Sequence, residues 1–245
     1  MKLYAIVCEV LTRECWRAGA ASPHVVTISI QPFGLHENPD ELRTNLQDEI
    51  DRVPSGCYDY ILLGYGLCSR GTAGLVARHT PIVIPRAHDC ITLLLGSQDR
   101  YEQEFTNHPG TYYYSAGWVE RKQGEVRQGT IATEKEQQAR DRFKEYAEKY
   151  GEDNARYLIE QESLWIANYN RAAFIDTGVG NKEIYRHFTQ QVAESHGWTY
   201  EEVSSDTRII DLLFSGDWNE KEFLIIRPGQ HTIEDVNHGI ISAMD

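Results

Sequence analysis

Three cysteines each follow a predicted buried strand, and the thiol is a side chain well suited to holding a soft metal. Cys8 follows LYAIV, Cys68 follows YILLGYGL and Cys90 follows PIVIPRAHD. Ligands of an open parallel sheet bind in the crevice beyond the carboxyl ends of its strands. If the three strands are neighbours, the three thiols meet in that crevice. Because thiolates bind soft and borderline metals, the pattern predicts a metal site with these three ligands.

Two further polar residues precede Cys90. His88 lies two residues before it, and on an extended strand end such side chains face the same way. His88 is therefore a candidate fourth ligand, a candidate acid–base group beside the metal, or a structural histidine. Asp89 is also a candidate catalytic residue, and its structural alternative is to cap the helix that follows.

The spacing of the ligands bears on which metal is bound. Three thiolates and an imidazole form a tetrahedral zinc set, whereas three thiolates around a cubane leave one iron open to substrate. Ligands on separate strands build a site within a substrate crevice, which favours an iron–sulfur cluster over Zn²⁺. The alternative is that the cysteines are small buried hydrophobic residues. Cys57, at the start of its strand, is assigned to packing, and Cys15 is left open.

Two glycine-rich loops and two arginines are the candidate substrate-binding groups. The loop GYGLCSRGTAG lacks the spacing of known phosphate-binding motifs, but its amides could hold an anion, and DTGVGN could hold a phosphate or carboxylate. The residues assigned to substrate binding are Gly64, Gly66, Gly178, Arg70 and Arg86, which predicts an anionic small-molecule substrate. Plain turns and surface ion pairs are the alternatives.

The elements that position these residues follow a βαβαβαβ order, which requires parallel pairing. The predicted elements are strands at Lys2–Val10, Val25–Ile30, Tyr58–Leu63 and Pro81–Ile84, with helices at Leu11–Ala20, from the Asn38 cap to Val53, and from the glycine loop to His79. Later elements are a polar helix around Gln98–Phe105, the aromatic strand TYYY, helices at Asn154–Tyr169, Lys182–His196 and Thr207–Ser215, and strands in AAFID, WTYEEVSSD and EFLII.

The predicted fold class is α/β in two parts. Residues 1–120 form a parallel, Rossmann-like half that carries the Cys/His site. Residues 121–170 form a polar helical connection. Residues 171–245 form a smaller, related α/β half whose last strand is EFLII.

Composition excludes several classes of partner. The 245 residues carry a formal net charge of −13, which argues against a broad surface for nucleic acid or anionic membrane. No apolar run has membrane length. Five cysteines without paired spacing or a secretion signal argue against a disulfide framework. We therefore expect a cytoplasmic protein with reduced thiols.

Several of these segments also resemble one family. VCEV, LGYGLCSRG, IPRAHDCITLLLGS, PGTYYYSAGW and the late GDW and FLIIRPGQ are similar to the uncharacterised prokaryotic family catalogued as domain of unknown function 1638. The resemblance spans nearly the whole chain. It implies a site at Cys8, Cys68, His88 and Cys90, and genes for corrinoid-dependent methyltransferases nearby. The family name supplies no activity.

The leading functional hypothesis is a metalloenzyme of one-carbon or sulfur metabolism, with an iron–sulfur cluster on the three cysteines and His88 at its open face. A second hypothesis is a zinc-thiolate protein that binds or transfers methyl groups with a corrinoid protein or methyltransferase as partner. A third is a non-catalytic module in which the glycine loops hold an anionic metabolite and the cysteines pack.

Overall fold

A five-stranded sheet holds the elements that carry the cysteines. The computed structural model describes residues 1–126, 143–163, 168–235 and 240–245, with side chains described outside 122–126 and 159–163. The order of the sheet is β2-β1-β3-β4-β8. Its strands are β1 (Lys2–Cys8), β2 (Val25–Gln31), β3 (Tyr60–Gly64), β4 (Ile82–Pro85) and β8 (Phe223–Ile226).

Helices and a second and third sheet complete the described elements. The helices are α1 (Thr12–Ala21), α2 (Pro39–Arg52), α3 (Cys90–Leu95), α4 (Gln98–Asn107), α5 (Ala116–Val126), α6 (143–150), α7 (Glu152–Ser163), α8 (Lys182–His196) and α9 (Arg208–Ser215). The other strands are β5 (Thr111–Tyr114), β6 (Arg171–Asp176) and β7 (Thr199–Ser204) in one sheet, and β9 (His231–Asp235) and β10 (Ile240–Met244) in an antiparallel hairpin. The α/β fold class is confirmed.

The central strands are apolar because both of their faces are covered. β1 pairs in parallel with β2 and β3, and β3 pairs in parallel with β4. Every residue of β4 and the last four residues of β3 are buried. Continuous apolar runs of this kind are typical of parallel strands with helices on both faces. The predicted parallel sheet of the N-terminal part is therefore confirmed.

The start of α2 follows the predicted capping chemistry. The Asn38 side chain accepts a hydrogen bond from the Glu41 amide, and Pro39 occupies the first helical position. The face formed by Leu42, Leu46 and Ile50 is buried. Burial of each such side chain contributes about 2 kcal/mol, so this apolar face holds the helix on the sheet.

The predicted helix between the glycine loop and His79 is wrong. The described backbone there consists of turns and extended segments. Part of this segment is instead hydrogen-bonded to β9: the Gly74 amide donates to the Thr232 carbonyl and the Thr232 amide donates to the Leu75 carbonyl. The Thr232 hydroxyl also donates to the Thr72 carbonyl at 2.6 Å. Pairing with a distant strand thus outweighs local helix propensity, which glycines already lower.

The chain forms two compact units that are interleaved in sequence. The first unit comprises Met1–Gln103, Thr177–Gly180 and Ser204–Asp245, and the second comprises Glu104–Asp176 and Asn181–Val203. This differs from the predicted division at residues 120 and 170. The difference arises because the chain returns to the first sheet, where β8 pairs antiparallel with β4. EFLII is therefore an edge strand of the first unit, and the β9–β10 hairpin follows it.

The second unit has its own sheet, in the order β5-β6-β7, with β5 and β6 parallel. The helix predicted at Lys182–His196 has those same bounds. Of the predicted polar connection, residues 127–142 and 164–167 lie outside the described residues. Within the parts that are described, no helix combines the length and the apolar character that a membrane crossing needs.

A carboxylate network joins α2 to β1 and β2 and gives a pH-dependent prediction. Glu49 accepts hydrogen bonds from Tyr4 (2.7 Å), Ser29 (2.6 Å) and Arg52 (3.0 Å). Burial alone would raise the pKa of Glu49, but the bonds from Ser29, Tyr4 and Arg52 outweigh it, so the pKa lies below its usual value. Because the pKa of Glu49 is lower in the folded state, its carboxylate stabilises the fold at pH values above the unfolded-state pKa. This contribution is lost as the pH falls through the folded-state pKa.

We expect Glu49→Gln to lower the free energy of unfolding by about 1–2 kcal/mol near neutral pH. The deficit should shrink as pH falls below about 4, where the wild-type carboxylate also takes up a proton. Urea unfolding between neutral pH and pH values below about 4 measures this deficit. Asp48→Asn, at the exposed residue before Glu49, is the control. An equal deficit at neutral and acidic pH would contradict this origin.

Candidate thiol site

The three strands that precede the cysteines are neighbours. β1, β3 and β4 are adjacent in the sheet. Cys8 is the last residue of β1, Cys68 lies four residues beyond β3, and Cys90 is the first residue of α3. The strand order reverses between β1 and β3, because β2 and β3 lie on opposite sides of β1. Such a reversal opens a crevice at the carboxyl edge of a sheet.

The loops after β3 and β4 run side by side. The Leu67 amide donates to the Ala87 carbonyl and the Cys68 amide donates to the His88 carbonyl, each at 2.8 Å. A Cβ added to Gly66 would lie 2.7 Å from the Ala87 carbonyl oxygen, so only glycine permits this approach. The two loops therefore hold Cys68 beside the segment that leads to Cys90.

The thiols share one electrostatic environment. Cys8 and Cys68 are each 9% exposed, and Cys90 is half-buried. Burial raises the pKa of the Cys68 thiol, and Asp89 and Cys8 raise it further. Burial also raises the pKa of Cys90, with smaller contributions from Asp89, Cys8 and Cys68. Both groups are therefore neutral thiols near neutral pH. A negative charge on Cys8 would make ionisation of either thiol less favourable.

The described side chains do not form a metal shell. Among the described residues, no three histidine, cysteine, aspartate or glutamate side chains are grouped closely enough to hold a metal ion. The thiols would have to turn toward a common centre to bind one. The assignment of Cys8, Cys68, Cys90 and His88 as ligands stays a prediction.

His88 and Cys90 do not lie on the end of a strand, because β4 ends at Pro85 and α3 begins at Cys90. The backbone of Asp89 between them is nevertheless extended, with φ of −160° and ψ of −173°. His88 is exposed, and its ring stacks on Tyr101 with centroids 5.5 Å apart. The extended backbone at Asp89 is compatible with His88 and Cys90 facing the same way, and a shared ion stays a prediction.

Asp89 caps a helix, which is the structural alternative to a catalytic role. Its Oδ1 accepts hydrogen bonds from the amides of Ile91 (3.0 Å) and Thr92 (3.1 Å) at the start of α3. The Tyr101 hydroxyl donates to the other carboxylate oxygen at 3.3 Å. Asp89 therefore caps α3 and fixes where Cys90 lies, and a catalytic role for it stays a prediction.

The backbone at Cys68 is strained. Cys68, Ser69 and Arg70 have φ values of 47°, 55° and 72°. A non-glycine residue in this left-handed region costs about 1–2 kcal/mol, and such strain clusters at functional sites. Three successive non-glycine residues with positive φ indicate that contacts with the rest of the protein hold this loop in its conformation.

Ser69 offers a direct test of that strain, because its side chain is exposed. We expect Ser69→Val to lower the free energy of unfolding by about 2 kcal/mol, since a β-branched residue tolerates this φ poorly. Ser69→Gly should be at least as stable as the wild type. Urea unfolding measures both. Ser55→Val, at an exposed turn residue without positive φ, is the control and should change little.

The predicted anion-binding arginines contact other parts of the first unit. Arg70 Nε lies 2.8 Å from Glu234 Oε2, and the Arg70 side chain is 70% exposed. Arg86 donates to the carbonyls of Glu220 (3.0 Å) and Ile241. Arg86 therefore holds the C-terminal segment in place. Arg70 can exchange its exposed Glu234 partner for another anion at little cost in free energy. Substrate binding by either stays a prediction.

The predicted glycines have packing or turn roles. A Cβ on Gly64 would lie 2.8 Å from a methyl of Val7, so this glycine permits close packing on β1. Gly178 has φ of 72° in a turn with open space around it. Its neighbour Thr177 donates to Glu14 on α1 at 2.6 Å. Ligand binding by these glycines stays a prediction.

Sequence reasoning did not single out Tyr65 and left Cys15 open. Tyr65 is 3% exposed and its hydroxyl is buried. Burial raises the pKa of Tyr65 well above its usual value, and Cys8, Cys68 and Cys15 raise it further. Cys15 on α1 is 1% exposed, and burial raises the pKa of its thiol, with smaller contributions from Glu14 and Cys8. The position of Tyr65 between two glycines at the end of β3 was the available signal. Cys57 is exposed, so the packing role predicted for it is wrong.

Comparison with known proteins gives one match. The model of a family described as Protein of unknown function (DUF1638) matches residues 30–213. This range contains Cys68 and Cys90 but not Cys8. Neither the curated proteins nor the solved structures contain a match.

Proposed function

Because the chain belongs to the DUF1638 family, whose function is unknown, we propose its function from its own thiol site. The protein is a metal-dependent enzyme in which Cys8, Cys68 and Cys90 ligate an iron–sulfur cluster. The observation that supports this proposal is the placement of three cysteines after three adjacent strands, beside the point where the strand order reverses.

The donor set suits a soft metal. An iron–sulfur cluster on three thiolates offers an open iron as a Lewis acid or electron carrier. The protein contributes two loops locked together by the amides of Leu67 and Cys68, and a strained turn that fixes the backbone of Cys68. Loading requires the thiols to lose their protons and turn inward, which is why metal affinity should rise with pH.

The substrate is a small anionic molecule. Arg70 follows Cys68 by two residues, is largely exposed, and exchanges its surface ion pair at little cost. His88 is exposed beside the same loop and supplies an acid–base group. One-carbon or sulfur metabolism is the proposed setting.

Anaerobic purification followed by iron, zinc and acid-labile sulfide analysis tests the proposal. We expect iron and sulfide in equal amounts, about four of each per chain for a cubane. One zinc per chain without sulfide would replace the cluster with the zinc-thiolate alternative and its corrinoid or methyltransferase partner. A protein that holds neither metal after reconstitution, yet binds an anionic metabolite, would be the non-catalytic module.

A further inference from the structure

We propose that the edge strand β2 is a dimerisation surface, at which a second copy of this chain adds its own β2 in antiparallel orientation. Among the described residues, β2 pairs with β1 alone and ends one side of the five-stranded sheet. An open strand edge is a template for a further strand, and partner recognition by strand addition is a common mode of protein association.

The outer edge of β2 presents unused backbone groups. The Val25 amide donates to the Met1 carbonyl at 3.1 Å, so the backbone groups of Val25 face β1. Because these groups alternate between the two sides of a strand, those of Val26, Ile28 and Ile30 face away from the sheet. In the described part of the chain, no residue outside the sheet forms a hydrogen bond with the backbone of these three. Their amides and carbonyls are therefore available to another strand.

A second β2 satisfies all of these groups in one register. A two-fold axis at Ile28 pairs Ile28 with its own equivalent and Val26 with Ile30 across the axis, and each such pair exchanges both of its hydrogen bonds. Centred one residue later, the pairing sets Val26 opposite Pro32, which has no amide hydrogen. Centred one residue earlier, it sets Ile30 opposite His24, which precedes β2. Two-fold symmetry is also the commonest symmetry of homo-oligomers.

The composition of β2 favours a copy of itself as the partner. Edge strands are ordinarily protected by charged residues, proline or a bulge, whereas VVTISIQ has no charge and no proline, and its register with β1 is unbroken. The opposite edge strand, β8, has four residues and lies between Glu222 and Arg227. Two copies of a chain with a net charge of −13 repel each other, so an uncharged edge is where they can approach most closely.

Exposed apolar side chains extend this surface on the face covered by α1. A Cβ added to Gly19 of α1 would lie 3.0 Å from Ile28 Cδ1, so the Ile28 side chain is on that face. Ile30, two residues on, is on the same face and is 37% exposed. Trp16 neighbours Gly19 on the helix surface and is 58% exposed. A stable interface buries about 800 Å² on each partner, more than a strand edge alone offers, and the Trp16 side chains of two copies add to it.

Ile30→Lys places a charge on the proposed interface. Ile225→Lys is the matched control, because Ile225 lies on the opposite edge strand and is similarly exposed, at 39%. Analytical ultracentrifugation of the full chain over a dilution series gives its mass and the dissociation constant of the dimer. Circular dichroism of both variants checks that they fold.

We expect the wild type to have twice the mass of one chain. Ile30→Lys should raise the dissociation constant about a hundredfold, because two-fold symmetry places the added charge in the interface twice. Ile225→Lys should leave the constant unchanged. A wild type that stays monomeric throughout the dilution series would overturn the inference, and so would a dimer that both lysine variants weaken equally or that Ile30→Lys leaves intact.

Cysteine cross-linking tests the register without relying on the lysine variants. In a Cys57→Ser background, which removes the exposed thiol, Ile28→Cys should form a covalent dimer on mild oxidation. The axis brings the two Cα atoms at this position to about 5.5 Å, within the range of a disulfide. Ile30→Cys should not cross-link, since its equivalents lie about 13 Å apart along the strands. Cross-linking at Ile30 in preference to Ile28, or at neither position, would contradict the proposed pairing.

Discussion

Serine in place of Cys68 is expected to reduce the metal content of the anaerobically purified protein about tenfold or more. Cys68 lies between Cys8 and Cys90 in the order of the sheet, since β3 lies between β1 and β4. A serine hydroxyl is a poor ligand for soft metals, so two thiols would remain where three are proposed. Metal per chain, measured after anaerobic purification, gives the result.

The matched control is Cys57→Ser. Cys57 is exposed and precedes β3, whose opposite end leads to Cys68. The Cys57→Ser variant should have the same metal content as the wild type. Circular dichroism of both variants separates lost ligation from lost folding. Equal metal content in Cys68→Ser and wild type would remove Cys68 from the site, whereas equal losses in both variants would point to adventitious thiol binding.

Alanine in place of Gly66 is expected to lower both the free energy of unfolding and the metal content. The added Cβ would lie 2.7 Å from both the Ala87 carbonyl oxygen and the Asp89 amide nitrogen. These are backbone atoms and cannot turn away, so the two loops must separate. We expect a loss of about 3 kcal/mol in the free energy of unfolding, together with a displaced Cys68.

Gly56→Ala is the comparison for that variant. Gly56 has φ of 75° and open space around it, so alanine there meets backbone strain without a clash. We expect a loss of about 1 kcal/mol and unchanged metal content. Similar losses in both variants would show that the contact between the Gly66 loop and the Asp89 loop is not tight.

The sequence predicts those elements of the fold whose signals are local. Asn38, Pro39 and the apolar spacing of α2 specify its start and its buried face, and the structure confirms both. The bounds of α8 agree for the same reason. The return of β8 to β4 and the pairing of residues 72–77 with β9 are contacts between distant segments, and no local periodicity encodes them.

The candidate site shows the same limit. Strand order places β1, β3 and β4 together because parallel strands with helical crossovers have few arrangements. The end of β4 at Pro85 was not predictable from alternation, since RAHD is compatible with strand or loop. The left-handed run at Cys68–Arg70 is enforced by tertiary contacts and has no signature in serine or arginine.

X-ray absorption of the zinc-loaded protein tests most directly whether Cys8, Cys68 and Cys90 share one centre. Zinc serves as the reporter because its thiolate distances are well defined and no inorganic sulfide is present. We predict three sulfur scatterers at about 2.3 Å from each zinc in the wild type, and about two in Cys68→Ser. A shell of oxygen and nitrogen alone, or a sulfur count that Cys68→Ser leaves unchanged, would contradict the proposed site.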